Sequence, residues 1–393
     1  MVSASGKILE CMPCELLQRL KAEVALGKSK PGPESFIIFI LSLRDWAMIY
    51  EVNPISDRRW ENFVARHPHS SIFHTTGWLL ALQRTYGFEP VVYTTSPPGE
   101  ELTNGLAFCR VSSWITGRRL VSLPFSDHCD PLLDGGSSGA GLFEELGKKL
   151  LGQHWRYIEV RPRSGVSVLQ DQGGGSESYC FHSIDLALPV SDIFANFHQS
   201  HVRRKIRRAE RESLTYREGN SDEILKMFYA LFVRSRRRQG LPPQPLRWFQ
   251  NLAECVGSEM QVQAALHRGQ PVASTVTLRH KKTLVYKYGC MDPQFKNLGG
   301  MAWLFWKIIQ EGKRQDLDEI DLGRSDWDNQ GLISFKDHLG GKRFSLNYWK
   351  NPQPTTDHKS LFEMFRRPVG WILGHAPLPV LTMAGRLLYR HVG

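Results

Sequence analysis

One order of elements occurs twice in this chain, and it restricts the fold more than any single motif does. In the first half, β-rich runs at 89–95, 105–112 and 119–124 follow one another, with SPPGE and residues 114–117 as turn signals between them. A Gly-rich loop, DGGSSGAG, then leads into a helix over 142–153 and a strand over 157–161. In the second half, strands over 260–267, 271–279 and 283–290 are joined by His-Arg-Gly-Gln and Arg-His-Lys-Lys. The loop 292–300 opens a helix over 301–314; a strand at 319–322, a short helix at 334–339 and a last strand at 344–350 follow. Strands linked by short turns form an antiparallel meander, and a strand placed after a helix can rejoin the same sheet. The expected class is α/β of the α+β kind, with two tandem halves and mixed, mainly antiparallel sheets.

Between the halves, Ser200 can cap a helix carrying Val202, Ile206 and Ala209 on one side. Ser221 or Asp222 begins a longer one whose apolar face is Ile224, Leu225, Phe228, Leu231 and Phe232. The expected boundaries are 48–190 for the first half, 191–352 for the second and 353–393 for a helical tail. Residues 1–47 read as an extension, because GKSKPGPES at 27–35 is linker chemistry and Met48 opens a strand, MIYEVNP, before Ser56 or Asp57 caps a helix. That extension is either disordered or the product of a start codon set too early.

With 50 Lys+Arg against 39 Asp+Glu, the net charge of +11 favours anionic partners without choosing among phosphates, nucleic acid and an acidic membrane. Arg203, Arg204, Arg207, Arg208 and Arg211 share one face of the helix after Ser200. Like charges at this spacing oppose each other by about 0.2–0.5 kcal/mol per pair, so the face either takes an anionic partner or is a solvated one, relieved by Glu210 and Glu212. The seven cysteines are scattered, and the one CxxC, Cys11 and Cys14, has no second pair to complete a zinc site. They read as reduced thiols of a cytosolic protein, and no metal is expected. FIIFILSL at 36–43 is far shorter than the ~20 residues of a membrane span. In the tail, Trp371, Leu378, Val380, Met383 and Leu387 stand beside Arg366, Arg367, Arg386 and Arg390, while Pro377 and Pro379 break the run into short helices. This segment either lies at a membrane interface or packs back on the second half. The expected location is the cytoplasm, with peripheral contact at the inner membrane face if the tail is interfacial.

Four stretches, in this order, resemble signature segments of the FemAB and CelD-like GNAT acyltransferases: IFHTTGWLLAL, HVRRKIRRAERESL, FYALFVRSRRRQGLPPQPLRWF and DLGRSDWDNQGLISFKDHLGG. The resemblance implies two tandem GNAT-like halves. It also implies transfer of an acyl or aminoacyl group, from a thioester or tRNA ester, to an amine or hydroxyl of a cell-envelope or polysaccharide-pathway acceptor. Acyl-CoA or aminoacyl-tRNA is then the co-substrate, with no bound cofactor. The implied partners are a phosphate-bearing donor, tRNA included, and a lipid-linked acceptor at the membrane surface. No sustained heptad between 191 and 239 supplies the coiled-coil arm of the peptidoglycan-bridge enzymes, so the donor stays open. DNA is not expected, for there is no helix-turn-helix, RNP or zinc pattern. The competing readings are a nucleic-acid-binding module and a non-catalytic assembly protein, each using the basic helix 201–212.

Acyl transfer needs a cradle for the donor's phosphates, deprotonation of the nucleophile and stabilisation of an oxyanion, with no obligatory Cys or Ser nucleophile. The resemblance puts a Phe-Lys pair, here Phe335 and Lys336, at the active site. A lysine at the start of a short helix would add its charge to that of the helix N-terminus. The resemblance also implies acceptor-phosphate contact at Arg238, in an R-x-G position, with Arg236 and Arg237 leaving the choice open. Arg204 and Arg208 are further phosphate ligands. The loop 296–300 stands where GNAT enzymes wrap pyrophosphate with backbone N–H groups, which makes Lys296, Gly299 and Gly300 donor-binding candidates, although the loop departs from the usual pattern. The general-base candidates are Asp321 at a strand end and Asp127 or Asp130 in PFSDHCDPLL. A strand-end carboxylate facing a cleft can have its pKa raised towards the working range; of the candidates Asp127 ranks first, with His128 in reserve.

Overall fold

The computed structural model describes residues 48–134, 139–151, 155–163, 174–352 and 373–392; the expectations for 1–47, Cys11 and Cys14 included, and for 353–372 lie outside them. The strands are β1 (Tyr50–Val52), β2 (Glu89–Thr94), β3 (Asn104–Ser113), β4 (Gly117–Val121), β5 (Leu132–Leu133), β6 (Tyr157–Val160), β7 (Gly175–Asp185), β8 (Thr215–Gly219), β9 (Met260–His267), β10 (Gln270–His280), β11 (Thr283–Met291), β12 (Glu319–Ser325) and β13 (Lys342–Asn351). They form one sheet in the order β1-β2-β3-β4-β6-β13-β7-β12-β11-β10-β9-β8, with β5 beside β3. Each half is an antiparallel meander closed by one parallel pair, β4 with β6 and β11 with β12. The strand after each parallel pair crosses over. β7 joins β12 of the second half, β13 joins β6 of the first, and the two pair with each other from Lys342↔Ser183 to Lys350↔Gly175. A boundary at 190/191 therefore cuts a continuous sheet. The meanders agree with the sequence reading, which missed β7 and β8. The first residues of β7 and most of β8 are exposed, so neither begins with an apolar alternation.

The helices are α1 (Arg58–Arg66), α2 (Thr76–Tyr86), α3 (Gly139–Leu151), α4 (Val190–Asn196), α5 (Arg204–Arg211), α6 (Asp222–Arg238), α7 (Leu246–Val256), α8 (Gly300–Arg314), α9 (Gln330–His338) and α10 (Leu378–Leu388). α1 starts at Asp57, whose carboxylate accepts the Arg59 N–H at 2.9 Å, and it buries Trp60, Phe63 and Val64 at helical spacing. One apolar core runs under both halves, because α2 packs against α7. The fully buried rings of Trp78 and Trp248 meet edge-on there at 5.2 Å. The opposite face of the second half buries Ile206 and Ala209 of α5 against α8, with the α5 arginines turned outward. The cap of this segment is His198 rather than Ser200: its side chain accepts the His201 N–H at 3.3 Å, one π turn before α5.

The described part of the tail packs back by one face. Leu381 is buried against Val233 of α6, Tyr389 donates its hydroxyl to the Pro242 carbonyl at 3.2 Å, and Arg119 of β4 reaches the His391 carbonyl at 2.9 Å. The other face, with Leu378, Val380, Met383 and Leu387, is exposed. Among the described residues no helix is long and apolar enough to cross a membrane. A Cβ at Gly385 would lie 1.9 Å from the Pro243 carbonyl oxygen. Gly385→Ala should therefore cost about 1–3 kcal/mol by overpacking, read as a lower urea midpoint. An unchanged midpoint would mean that α10 does not dock as described.

Candidate functional site

β11 and β12 are paired only over Thr283↔Glu319, Leu284↔Ile320 and Val285↔Asp321. Beyond that register the strands part, and a cavity of about 220 Å³ opens between Tyr286 to Gly289 on one strand and Leu322 to Arg324 on the other. Larger depressions of about 420 and 620 Å³ lie around Tyr216 and Glu311, but none of the charged residues lining them is buried. The smaller cavity is lined by the buried Lys336 and by the half-buried Asp127, Arg236, Lys287 and Arg324.

A β-bulge marks each strand at the parting. On β11 the register steps from Thr277↔Tyr286 to Val276↔Tyr288, so Lys287 is the extra residue. Alternation inverts across it: Tyr286 packs on Phe305 of α8 at 4.8 Å and Tyr288 on Phe249 of α7 at 5.1 Å, on opposite faces of the sheet. The bulge turns Lys287 into the cavity. On β12, Asp321 pairs with Ser183 and Arg324 with Phe181, so that Leu322 and Gly323 stand opposite His182 alone. Gly323 adopts φ +71°, strained for any L side chain, and a Cβ there would also press on the Asp127 carboxylate at 3.2 Å.

Lys287 donates to Asp127 Oδ2 at 2.6 Å. Lys336, 2% exposed, reaches in from α9 and donates to the carbonyls of Gly323 at 2.8 Å and Arg324 at 3.0 Å. Burial pulls its pKa down to about 8, against the attraction of Asp127 and Asp321. For Asp127 burial acts upward, but Lys287, then Arg324 and Lys336, hold the carboxyl below its ordinary range. The cations around Asp127 outweigh its desolvation. The Arg324 guanidinium lies 4.1 Å from the Tyr179 ring and 5.1 Å from that of Tyr348, whose hydroxyl donates to the Asp127 carbonyl at 2.5 Å. Arg236 lines the cavity from α6 and covers Phe232 at 5.0 Å.

Asp127 and Lys336 thus meet, and other candidates fall elsewhere. Asp321 lies beneath the cavity with both oxygens occupied: Oδ2 is 2.7 Å from His128 Nε2, and Oδ1 accepts the Gly323 N–H at 2.6 Å. It braces the bulge and is not positioned to take a substrate proton. His128 spends Nε2 on that pair and its buried Nδ1 makes no hydrogen bond, while Asp130 accepts the Arg163 N–H at 2.7 Å. Lys336 sits in the last turn of α9, not at its N-terminus, because Asn329 caps the helix earlier than expected. Phe335 faces away from the cavity and packs on Phe305 at 5.6 Å. Of the three arginines, Arg236 enters the cavity, whereas Arg238 is exposed and makes a long bond to Ser235 at 3.4 Å. Arg204 and Arg208 are exposed on α5, outside the cavity. Lys296 is exposed; Gly299 and Gly300 are buried against α5 and β10, where a Cβ would lie 2.3 Å from the Lys205 carbonyl and 3.2 Å from Ala273. Close packing accounts for these glycines, and none of the three loop residues lines the cavity. Lys287, Arg324 and Tyr179 escaped the sequence reading; a lysine between two tyrosines in an otherwise apolar strand was the available signal.

The pattern of the acetyltransferase (GNAT) domain matches residues 196–336, from the approach to α5 as far as Lys336. No curated protein matches the chain. Among solved structures, FemX superposes with a TM-score of 0.59 at 11% identity, covering 81% of this chain and 100% of its own. L-PGS from Bacillus licheniformis gives 0.53 at 14% identity, covering 82% and 98%. The C-terminal domain (DUF2156) of a protein described as a lysylphosphatidylglycerol synthetase, from Agrobacterium fabrum, gives 0.52 at 16% identity, covering 75% and 90%. These likenesses identify a shared fold. The chain is a distant, low-identity match to the FemABX and GNAT acyltransferase superfamily.

The buried pair of His128 and Asp321 predicts a pH effect. Burial lowers the His128 pKa, but Asp321 overrides this and raises it above 6.5. A raised folded pKa contributes stability that is fully present below the unfolded value and is lost as pH rises through the folded one. Stability of the wild type should therefore fall over that window, and Asp321→Asn should abolish the fall. Urea unfolding at a series of pH values tests this, and identical slopes in the two proteins would exclude the pair as its cause.

Proposed function

We propose that this protein is an acyl- or aminoacyltransferase whose reaction takes place where β11 and β12 part. The observation that supports the reading best is the cavity's charge: Lys287, Lys336, Arg324 and Arg236 line it against a single carboxylate, Asp127. Such a site suits a carbonyl oxygen that gains negative charge and is poor for binding a cation. An acceptor amine attacks the donor's ester or thioester carbonyl carbon, forming the C–N bond and a tetrahedral oxyanion beside Lys336. The attacking nitrogen is then cationic and acidic, so Asp127 can take its proton in spite of a low pKa. Collapse breaks the bond to sulfur or ribose oxygen, and the leaving group receives the proton. Arg204 and Arg208, outside the cavity, are suited to phosphates of the donor. The tandem GNAT relation of the two halves, and a cell-envelope acceptor such as the name of the lysylphosphatidylglycerol synthetase domain suggests, belong to the same proposal.

Purified protein incubated with a panel of acyl-CoAs and aminoacyl-tRNAs, together with amine acceptors, tests it; absence of transfer from every donor would count against it. With a donor in hand, Lys336→Met should lower kcat by about 10²–10³-fold, the range for loss of one oxyanion donor. Lys336 is charged below about 8 and neutral above it, so turnover should fall as pH rises through that value. Because deprotonation of the acceptor amine raises the rate over the same range, the comparison is with Lys336→Met: a falling limb present in the wild type and absent from the variant is expected, and identical profiles would overturn the assignment of Lys336 as the cation.

A further inference from the structure

The C-terminal end of α9 meets the turn that leads into α5, and three histidines converge at that junction. His198 and His201 are exposed, His338 is half-buried, and one ring nitrogen of each lies within 4.8 Å of the others. The ring centroids are 4.7 Å apart for His198 and His201, 4.5 Å for His198 and His338, and 4.4 Å for His201 and His338. The backbone enforces this meeting, since the His198 N–H donates to the His338 carbonyl at 2.9 Å. His198 caps the π turn that carries His201, and its ring lies beside that of His201.

We propose that His198, His201 and His338 form a site for a divalent transition metal of the zinc class, which ties α9 to the start of α5. Imidazole nitrogen suits Zn²⁺, Ni²⁺ and Cu²⁺, whereas Mg²⁺ and Ca²⁺ need oxygen. Three histidines with water in the fourth position make a known type of zinc ligand set. Zn–N bonds of about 2.0–2.1 Å set tetrahedral nitrogens about 3.3 Å apart, so the cluster must contract by roughly 1.5 Å at its widest. The rings of His201 and His338 are stacked at 4°, which confines their lone pairs to two parallel planes, so one ring must turn for them to converge. His201 is exposed and has room to turn. At His198, Nδ1 lies 3.3 Å from Ser200 Oγ. With the ring proton on Nδ1 and donated to that hydroxyl, Nε2 offers its lone pair, and Ser200 supplies the outer hydrogen bond that orients a ligand imidazole. The long cap bond from the His201 N–H, 3.3 Å, is then given up to water.

The site lies outside the cavity but on the element that serves it. Lys336 precedes His338 by two residues, and Asp337 between them pairs with His182 at 3.2 Å. A metal at His338 would stiffen the last turn of α9, from which Lys336 enters the cavity. The proposal does not depend on acyl transfer, and its test uses no activity.

Untagged full-length protein, stripped with a chelator, is titrated with Zn²⁺ against a chromophoric competitor near neutral pH, and with Co²⁺ followed in the visible. One Zn²⁺ per chain, a raised melting temperature and the bands of tetrahedral Co²⁺ are expected, with no response to Mg²⁺. His201→Ala and His338→Gln should each weaken Zn²⁺ by more than the ~10-fold that loss of an outer partner can cost. His201→Cys, which keeps a ligand atom, should retain binding, and far-UV circular dichroism verifies that each variant is folded. The proposal is overturned by absence of saturable Zn²⁺ binding. It is equally overturned if folded His201→Ala binds as tightly as wild type, or if binding is lost in Cys11→Ser but kept in the histidine variants.

Discussion

Backbone groups inside a sheet must find partners, and β11 and β12 lose each other after Val285 and Asp321. Most of the site follows from how that loss is met. The bulge at Lys287 keeps β11 in register with β10 while releasing one side chain towards the gap. The bulge at Gly323 does the same for β12 against β7, and Lys336 fills the gap by binding two carbonyls there. The exchanged strands make this possible. With β7 and β13 paired at the centre, β12 is held on its other side and the parting does not fray into an open edge.

The first half resolves the equivalent parting in another way. β4 and β6 are also parallel over a short register, ending at Val121↔Glu159. Beyond it β6 takes the chain's own following loop as its neighbour: Cys129 bridges Arg161, and Arg161 donates to the carbonyls of Leu123 and Ser126 at 3.1 and 3.2 Å. Glu159 neutralises that buried arginine at 2.6 Å. The loop that fills the first half's gap is the one that carries Asp127 into the second half's cavity. The two halves are thus unequal: one supplies the cavity, the other closes itself and lends a carboxylate.

This asymmetry explains what the sequence disclosed. The meanders were legible because alternation and turn residues are local, and they placed β2, β3, β9, β10 and β11 close to their observed limits. Lys336 and Asp127 were legible as residues of resembling segments and of a polar loop. The bulges were not, because a bulge is defined by the partner strand's register, which no single run of residues contains. Lys287 and Arg324 were missed for that reason. The contacts of Asp321 with His128 and Gly323 were not legible, because a carboxylate at a strand end looks the same whether it faces a substrate or braces a glycine. Asn329, two residues after Trp327 in the quoted DLGRSDWDNQGL segment, offered a cap that would have put Lys336 in the last turn of its helix.

The size of the cavity sets what the site can recognise. About 220 Å³ is below the usual range of small-molecule pockets, so on the proposed reading it would take the reacting end of a donor and not its carrier. Whether the carbonyl arrives on a thioester or on a tRNA ester makes little difference to Lys287, Lys336 and Asp127, since the atoms that change are the leaving ones. On the proposed reading, discrimination would fall to groups outside the cavity, among which the arginines of α5 and the apolar face of α10 are exposed. The proposed chemistry would then rest on a few residues around the parted strands, and donor choice on a surface that no compact motif describes. The same separation lets one fold keep its reaction while its surface changes substrates.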